Sequence, residues 1–532
     1  MLDIKIVGGT VHDGSGLPGI LADVGIAGDT IETVGDLSSA EAKTTINATG
    51  KSVTPGFIDL HTHSDASFLV DPMADSKLTQ GVTLEYFGNC GMSFCAPLYG
   101  AAKDQLRERL TRGGEGTFDV DWENFDGYLN ALEQRGSTIN VATQVGHGTV
   151  RAAVMGMDNR GPTIDELAHM TRLVEESLDA GALGMSTGLW YAPGSYSLTD
   201  EVIALNQPVA DRNKLYSSHI RSEADDLCGL FPAHAEAIEI GRRTGGRIQV
   251  SHVKAVGPKF WGRGPELLEG FERAIDEGID LAGDQYPYSW SSTGFSGAMF
   301  ARWALTGGRD ATLDRLQDAD LRAKMRVDTE YYISRNHGAV GSVVAHFPPN
   351  TDYEGMNLSE IGDEMGCGPA EAALRLYEQS DGSYVLNSME ESDVETIAQW
   401  RLMTVCSDGS SLRTTGPLSS GKPHPRSYAT NSRHLETFVK ARNLLSFEEA
   451  IFKMTALGAS RLNLTRRGRI VRGMFADVLV FDLDNIKQNN SFTDPHQYST
   501  GMDWVIVNGV TAIANGEVTG STPGKVIRDF DA

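Results

Sequence analysis

Eight short apolar runs, most of them ending in a polar or reactive side chain, constrain the fold of this chain more than any other feature. They are Val53 to His61, Thr83 to Cys90, Asn140 to His147, Leu183 to Thr187, Leu215 to His219, Arg247 to His252, Ile279 to Asp284 and Leu402 to Asp408. Helical patterns separate many of them; one begins at Thr163, has acidic residues in its first turn and ends at Gly181. Eight such units predict an α/β fold, a (β/α)₈ barrel whose active site lies at the carboxyl ends of its strands.

Both ends of the chain have the pattern of short strands joined by tight turns. Residues 504–514 read as a hairpin with Asn508-Gly509 at its turn. The simplest arrangement packs the two ends together, with the barrel inserted between them. The sequence therefore predicts a small β-sandwich from residues 1–54 and 466–532, and a catalytic barrel from residues 55–465.

The spacing of the runs breaks down between the seventh and the eighth. About 120 residues separate Asp284 from Asp408, whereas one β–α unit needs about 30. Residues 288–345 contain clusters of glycine, serine and aromatic residues. We interpret them as an inserted subdomain or lid near the barrel mouth.

The charge of the chain excludes some functions. The formal net charge is −25, and binding to nucleic acid or to anionic lipid requires a basic surface. We therefore expect a small-molecule substrate and neither a nucleic-acid nor a membrane partner. The charge gives no information on the oligomeric state.

The cysteines and the N-terminal segment bear on the compartment. The five cysteines, at positions 90, 95, 228, 367 and 406, do not have the number or spacing of a disulfide framework. We see neither a signal peptide nor an apolar stretch long enough to span a bilayer. We expect a cytoplasmic protein in which Cys228 and Cys367 are ordinary buried thiols.

The first run ends in a histidine pair that is typical of a metal site. In an extended strand, residues i and i+2 face the same way, so His61 and His63 can direct two imidazoles at one ion. Neutral imidazole is a good zinc ligand. A His-x-His pair alone is a weak signal, but here it ends an apolar strand and has companions.

Four further residues end other runs: Cys90 the second, His219 the fifth, His252 the sixth and Asp408 the eighth. Each alone is more often structural than a ligand. A barrel brings its strand ends to one rim, so six such side chains at equivalent positions predict a shared metal centre.

These residues lie in motifs that resemble the N-acyl-D-amino-acid deacylases (D-aminoacylases) of the amidohydrolase superfamily. The resemblance covers nearly the whole chain. Its motifs are Pro55-Gly-Phe-Ile-Asp-Leu-His-Thr-His63, Gly88-Asn-Cys-Gly91, Gly184-Met-Ser-Thr-Gly-Leu189, His219-Ile-Arg-Ser-Glu223, Ser251-His-Val-Lys254, Asp284-Gln-Tyr-Pro-Tyr288, Ser407-Asp-Gly409 and His424-Pro-Arg426. The Gly-Asn-Cys-Gly strand is the most specific, because most members of the superfamily have a carboxylated lysine or a glutamate where this chain has Cys90.

The resemblance implies zinc as the cofactor. It implies one firmly bound ion, held by Cys90, His219 and His252. It implies a second, weaker position formed by His61 and His63 with Asp408 nearby. The sequence does not show whether both positions are filled.

The chemistry of amide hydrolysis assigns roles to further residues. Zinc lowers the pKa of a bound water, and a nearby carboxylate can move that proton to the leaving nitrogen; Asp408 is the candidate, either as this base or as a metal ligand only. The resemblance favours Lys254, Tyr286 and Arg426 as contacts of the substrate α-carboxylate and Tyr191 near the scissile amide. Arg302, in the insertion, is a weaker candidate for the same carboxylate clamp.

Three polar residues allow two interpretations each. Arg221, two residues after His219, either contacts a carboxylate of the substrate or forms an ion pair with Glu223 or another strand-end acid. His147 either orients the substrate or a ligand, or has a structural role. Glu85 departs from the apolar pattern of the second strand; it either pairs with a lysine or arginine of a neighbouring strand or marks a divergent substrate pocket.

The predicted function is zinc-dependent hydrolysis of N-acyl-D-amino acids to a carboxylate and a free D-amino acid. An alternative is hydrolysis of another small amide: a cyclic amide, an N-acyl-L-amino acid or a dipeptide with a D-residue. A second alternative is a barrel that serves as a scaffold without catalysis, which the full set of ligand residues disfavours.

Overall fold

The computed structural model describes residues 1–112 and 118–531. Eight strands form its central barrel: Phe57–Asp59, Val82–Phe87, Asn140–Thr143 (continued by Val145–Gly146), Gly184–Gly188, Leu215–His219, Arg247–Val250, Leu281–Gln285 and Met403–Val405. Neighbouring strands pair in parallel. A parallel bridge from Thr62 to Gly409 joins the first strand to the eighth. The predicted barrel is confirmed, and each predicted run overlaps one of its strands.

Helices cover the outside of this barrel and connect its strands. Those in the barrel region are Ser67–Val70, Asp75–Leu78, Gly100–Arg112, Phe125–Arg135, His147–Met155, Ile164–Ala180, Thr199–Asp211, Leu230–Thr244, Gly264–Asp276, Glu391–Ala398, Arg426–Arg433, Phe447–Met454 and Ala456–Arg461, with a π-helix at His434–Ala441. The helix predicted from Thr163 is present: the Thr163 side chain accepts from the backbone of Glu166 in a capping box, and the helix ends at Gly181.

The two ends of the chain meet in one nine-stranded sheet. Its strands are Leu2–Val11, Ile20–Ala27, Thr30–Gly35, Ala42–Asn47, Ser52–Pro55, Val478–Phe481, Met502–Val507, Val510–Ala514 and Glu517–Val518. The antiparallel pair Ser52–Pro55 and Val478–Phe481 joins the N-terminal strands to the C-terminal strands. Because Ser52–Pro55 leads directly into the first barrel strand, this sheet anchors that strand. The domain boundaries at residues 54 and 466 stay predictions.

A separate unit lies between the seventh and eighth barrel strands. Strands Trp290–Gly294, Ser342–His346 and Ser383–Asn387 form an antiparallel sheet with the last of these in the middle. Its helices are Phe295–Met299, Gly308–Gln317, Ala319–Ser334, Leu358–Met365 and Pro369–Gln379. It has its own apolar core. The unit therefore continues past the expected limit at residue 345, because its middle strand comes last in the sequence.

None of the helices in residues 1–112 and 118–531 combines the length and the hydropathy that crossing a bilayer requires.

Candidate metal centre and substrate cavities

The predicted ligands gather at one rim of the barrel, at or just after the strand ends. His61, Cys90, His219, His252 and Asp408 are all buried. Three of them have left-handed backbone conformations, with φ of 55° at Cys90, 36° at His252 and 48° at Asp408. This conformation costs a residue other than glycine on the order of 1–3 kcal/mol, and such strain concentrates at functional sites.

Cys90 is the centre of the first group of ligands. Its Sγ lies 3.6 Å from His219 Nδ1 and 3.4 Å from His252 Nε2. In tetrahedral zinc sites, bond lengths of about 2.3 Å to sulfur and 2.0–2.1 Å to nitrogen separate these atoms by roughly 3.5 Å. The three side chains therefore have the chemistry and the spacing of a zinc site.

A second group shares the thiol with the first. His61 Nε2 lies 3.3 Å from Cys90 Sγ and 3.4 Å from Asp408 Oδ1. His63 Nε2 lies 3.1 Å from the same carboxylate oxygen. The candidate ligand atoms of His61, His63, Cys90 and Asp408 all lie within 4.8 Å of one another. The structure thus brings together all six side chains that the sequence singled out.

The electrostatics of these groups suit a cation. Burial raises the pKa of the Cys90 thiol, but the imidazoles of His61 and His252 lower it more, and the net pKa lies well below its ordinary value. Burial also raises the pKa of Asp408, and Arg426 and His252 outweigh it, so this pKa too lies well below its usual range. A thiolate and a carboxylate are therefore the favoured forms, and both are good ligands of a divalent metal.

Two carboxylates that sequence reasoning did not assign orient the histidines. Asp284 Oδ1 lies 3.1 Å from His61 Nδ1 and accepts a hydrogen bond of 2.6 Å from the backbone N–H of His252. Glu223 Oε1 lies 3.1 Å from His252 Nδ1. Carboxylates in this position fix the orientation of ligand imidazoles. The signals were available, since Asp284 ends the seventh run and Glu223 follows His219 by four residues.

Three of the predicted substrate contacts, Lys254, Tyr286 and Arg426, lie close together beside the metal centre. Lys254 and Tyr286 line a cavity of about 230 Å³ that also includes Cys90. The Tyr286 hydroxyl is buried without a hydrogen-bond partner in the described chain. The Lys254 ammonium lies 5.6 Å and the Arg426 guanidinium 4.7 Å from the centre of the Tyr286 ring. These three side chains form a compact group with two positive charges.

Arg426 and Tyr191 also touch the ligand residues. Arg426 Nη1 lies 2.8 Å from Asp408 Oδ2. The Tyr191 ring lies 4.8 Å from that of His219, and its hydroxyl lies 3.0 Å from Thr293 Oγ1. Tyr191 therefore stands at the wall where the cavity meets the metal centre.

Arg302 differs from the sequence expectation. It lines a second cavity, of about 500 Å³, whose wall includes Cys90 and Tyr191 but neither Lys254 nor Arg426. The inserted unit, whose packing the sequence does not reveal, carries Arg302 to this other side. The two cavities share Cys90 and Tyr191, and the role of Arg302 as a carboxylate contact stays a prediction.

Glu85 belongs to a closed set of charges that we call the inner cluster: Asp59, Lys77 and Glu85. Lys77 Nζ lies 2.9 Å from Asp59 Oδ2 and 2.9 Å from Glu85 Oε1, and all three side chains are 0% exposed. Lys77 also donates a hydrogen bond of 2.6 Å to Ser407 Oγ, next to Asp408. Glu85 therefore pairs with a lysine, but Lys77 lies on helix Asp75–Leu78 and not on the neighbouring strand that the sequence predicts.

The remaining polar residues have structural partners. Arg221 forms two hydrogen bonds of 2.8 Å with Glu236. Because Glu236 lies on helix Leu230–Thr244, the ion pair is with neither Glu223 nor another strand-end acid. His147 Nε2 lies 3.0 Å from Glu201, which also pairs with Arg151. Cys367 is half-buried and Cys228 is exposed. The prediction that Cys228 is a buried thiol is therefore wrong.

A barrel that gathers imidazoles, a thiol and a carboxylate at the carboxyl ends of its strands defines the class of metal-dependent barrel hydrolases. The chain belongs to the amidohydrolase family, whose model matches residues 44–325 and 372–513.

Two characterised relatives come from Alcaligenes xylosoxydans xylosoxydans. An N-acyl-D-glutamate deacylase is 35% identical over 99% of this chain and 96% of its own length. A D-aminoacylase is 33% identical over 99% of this chain and 97% of its own length.

A solved structure is similar over the whole fold. It is an N-acyl-D-glutamate deacylase from Bordetella bronchiseptica in complex with zinc and a phosphonate inhibitor that mimics the tetrahedral intermediate of the reaction. The TM-score is 0.84 and the identity 32%, covering 99% of this chain and 100% of the other.

Proposed function

We propose that this protein is a zinc-dependent deacylase that cleaves the amide bond of N-acyl-D-amino acids to a carboxylate and a free D-amino acid. The observation that carries the proposal is the group Cys90, His219 and His252, with its sulfur-to-nitrogen distances of 3.6 and 3.4 Å. The relatives that share the whole fold support it, because they act on N-acyl-D-amino acids.

Cys90, His219 and His252 would hold the firmly bound zinc, and His61 and His63 with Asp408 a second, weaker one. The shared position of Cys90 in both groups supports this arrangement. Zinc bound there supplies Lewis acidity, which activates a water molecule and polarises the scissile carbonyl.

Asp408 is the proposed proton carrier. Its Oδ1 lies 3.1 Å from His63 Nε2 at the metal centre, whereas its Oδ2 lies 2.8 Å from Arg426. His63 therefore holds one oxygen of the carboxylate and Arg426 the other, close to the proposed position of the attacking water. In this position it accepts the proton of the attacking water and delivers it to the leaving nitrogen.

Lys254, Tyr286 and Arg426 are the proposed contacts of the substrate α-carboxylate. Two cations and an unpartnered phenol can give a carboxylate charge-assisted hydrogen bonds. Tyr191 is proposed to contact the scissile amide, since its ring lies 4.8 Å from that of His219 and it lines the same cavity as Lys254 and Tyr286. The D preference is supported by the relatives, whose names specify D-substrates.

The test is a panel of N-acetyl-D- and N-acetyl-L-amino acids, with released amine as the readout and zinc content measured on the same protein. We expect release from D-substrates, with L-substrates slower by about a hundredfold or more. Asp408→Asn should lower kcat by about a thousandfold while zinc remains bound. Asp393→Asn is the matched control, because this buried carboxylate caps Gly262 and Gly264, outside the cavities.

Each failure of this test has its own meaning. Hydrolysis of cyclic amides or L-substrates alone would replace the substrate assignment with the corresponding alternative. A protein without bound zinc and without activity would contradict the proposal and favour a scaffold. Full activity in Asp408→Asn would contradict the role of the carboxylate.

We also propose that the enzyme acts in the cytoplasm on small molecules. The five cysteines all remain free thiols, which fits a reducing compartment.

A further inference from the structure

His424 lies in one of the motifs that the sequence singled out, His424-Pro-Arg426, yet the proposed reaction gives it no role. The residue is 3% exposed. Its Nδ1 accepts a hydrogen bond of 3.0 Å from the backbone N–H of Arg426, and its Nε2 lies 3.0 Å from the carbonyl oxygen of Trp290. Both ring nitrogens of this buried histidine therefore have a backbone partner.

The protonation state of His424 matches these two contacts. Burial and the positive charge of Arg426 hold the pKa of the imidazole well below its ordinary value, so the neutral form is favoured. A neutral imidazole has one nitrogen that accepts a hydrogen bond and one that donates. Since the Arg426 N–H can only donate and the Trp290 carbonyl can only accept, the contacts assign the proton to Nε2. The ring satisfies both neighbours in this one orientation.

The backbone that His424 holds is the start of a helix. Arg426 is the first residue of the helix Arg426–Arg433. The first N–H groups of a helix have no acceptor within it, and His424 Nδ1 supplies one. The turn before the helix is fixed once more, because Asn490 Nδ2 donates a hydrogen bond of 2.8 Å to the carbonyl of Pro425. These contacts set the direction in which the Arg426 side chain leaves the helix.

Aromatic rings enclose the His424 imidazole. The ring of Tyr288 lies 4.9 Å from it and that of Phe492 lies 5.1 Å from it, both edge-on. Trp290 begins the first strand of the inserted unit, whereas Phe492 follows the strand Val478–Phe481 at the other end of the chain. His424 thus joins the start of the arginine's helix to two segments that are distant in sequence.

The orientation of Arg426 matters because of what its guanidinium reaches. Nη1 lies 2.8 Å from Asp408 Oδ2, and the guanidinium lies 4.7 Å from the centre of the Tyr286 ring. A long side chain makes both contacts only when its backbone starts in the right place. A shift of about 1 Å in a group that positions the substrate can cost about a hundredfold in rate.

We propose that His424 is a positioning residue for Arg426: its Nδ1 holds the backbone N–H of Arg426 so that the guanidinium reaches both Asp408 and the α-carboxylate of the substrate. The inference rests on the proposed function, in which Arg426 binds that carboxylate. His424 acts on the reaction through Arg426.

The test compares the best N-acetyl-D-amino acid of the panel with its decarboxylated analogue. The ratio of their kcat/KM values is the carboxylate preference. His424→Phe keeps a ring and removes both polar contacts, so the preference should fall by about tenfold or more, mainly through a higher KM for the acid. His424→Asn should keep most of the preference, because an asparagine oxygen can accept from the backbone N–H two residues ahead. A residue that only fills space would not be rescued in this way.

His424→Gln repeats the comparison with a polar side chain. Its amide lies one bond further out, where it can reach the Trp290 carbonyl but leaves the Arg426 N–H without an acceptor. The preference should therefore fall as in His424→Phe. Circular dichroism and zinc content establish which variants are folded. An undiminished preference in either folded variant, or a preference in His424→Asn as low as theirs, would overturn the proposal.

His12→Phe is the matched control. His12 also packs edge-on against an aromatic ring, that of Phe447 at 4.7 Å, but it directly follows the strand Leu2–Val11 of the nine-stranded sheet. Its replacement should leave the carboxylate preference unchanged. A fall in this control equal to that in His424→Phe would assign the effect to general loss of stability and contradict the positioning role.

A binding measurement separates this inference from the proposed function. Titration calorimetry on the zinc-loaded protein compares a free D-amino acid with the amine that lacks its carboxylate. The acid should bind at least about tenfold more tightly to the parent protein and to His424→Asn, and His424→Phe should remove the difference. Inactivity toward every N-acyl amino acid together with this pattern would reject the proposed function alone. A difference that His424→Phe leaves intact would reject the positioning role, and no difference in the parent would reject Arg426 as a carboxylate contact and the inference with it.

Discussion

Lys77 and Lys254 are both buried lysines paired with a glutamate, yet they lie in opposite kinds of surroundings. Lys77 is enclosed by the inner cluster at 0% exposure, with Asp59, Glu85 and Ser407 within 2.9 Å of its ammonium. Lys254 donates a hydrogen bond of 2.7 Å to Glu223 and lies 2.7 Å from His252 Nδ1, but it also borders the cavity at the metal centre. Lys77 is enclosed and cannot contact a substrate. Lys254 lines the cavity and can.

The pKa values of the two glutamates, Glu85 and Glu223, are shifted in opposite directions. Burial raises the pKa of Glu85 above its ordinary value, because one Lys77 must compensate both Glu85 and Asp59. Burial alone would raise the pKa of Glu223, but the opposite effect of Lys254 and His219 is larger. The pKa of Glu223 therefore lies well below its usual range. The inner cluster is short of positive charge, whereas Glu223 has both Lys254 and the imidazole of His252 within 3.1 Å. A short lysine–glutamate distance therefore does not distinguish a structural lysine from one that contacts substrate. The balance of nearby charges and the exposure to the cavity are better indicators.

The largest effect in this comparison is expected for Lys77→Met. The substitution leaves two buried carboxylates without a cation, so the free energy of unfolding should fall by about 3–5 kcal/mol. Chemical denaturation at pH 7 measures it. The double variant Lys77→Met/Glu85→Gln should recover part of the loss, because one of the unpaired charges is gone. A loss below about 1 kcal/mol would show that the inner cluster does not stabilise the fold.

Lys254→Met should give the reverse outcome. Its partner Glu223 retains contact with His252 at 3.1 Å, so the free energy of unfolding should fall by less than in Lys77→Met, by about 1–3 kcal/mol. Without the ammonium, kcat/KM for N-acyl-D-amino acids should fall by about a hundredfold. A decarboxylated substrate analogue serves as the control, since it should be hydrolysed equally by both proteins. A purely structural lysine would instead lower stability and leave this difference in specificity intact.

The smallest effect is expected for Glu85→Gln, and it depends on pH. Because the pKa of Glu85 is raised in the folded protein, the folded state keeps this proton above the pH at which the unfolded chain loses it, near 4.3. The contribution of Glu85 to the stability of the parent protein therefore falls as the pH rises above about 4.3. The variant should gain on the parent between pH 4.5 and 7, by on the order of 1 kcal/mol. Glu269→Gln, at a side chain 72% exposed, should show no such trend.

The sequence predicts the barrel and the ligands because both depend on local pattern. Each run that ends at a ligand forms a parallel strand, and the closure of the barrel alone brings Cys90 to His219 and His252. The partners of these ligands are harder to predict. Lys77 comes from a four-residue helix, Asp75–Leu78, that has no periodic pattern, and its contact with Ser407 spans the length of the barrel domain.

The cavities depend on packing that no local pattern encodes. Arg302 reaches its cavity through the inserted unit, whose middle strand, Ser383–Asn387, pairs with segments about 40 and 90 residues earlier in the chain. The sequence predicts that this arginine contacts a carboxylate. It could not assign the side of the metal centre on which the guanidinium lies.

The strand pair Ser52–Pro55 and Val478–Phe481 has a consequence for biosynthesis. The segment that leads to His61 and His63 emerges early from the ribosome, but the strand that anchors it is made only after more than 400 further residues. During translation, the strand that leads to these two histidines lacks this pairing until residues 478–481 have been made. The geometry of the proposed second metal position therefore depends on a strand pair whose two segments lie more than 400 residues apart in the chain.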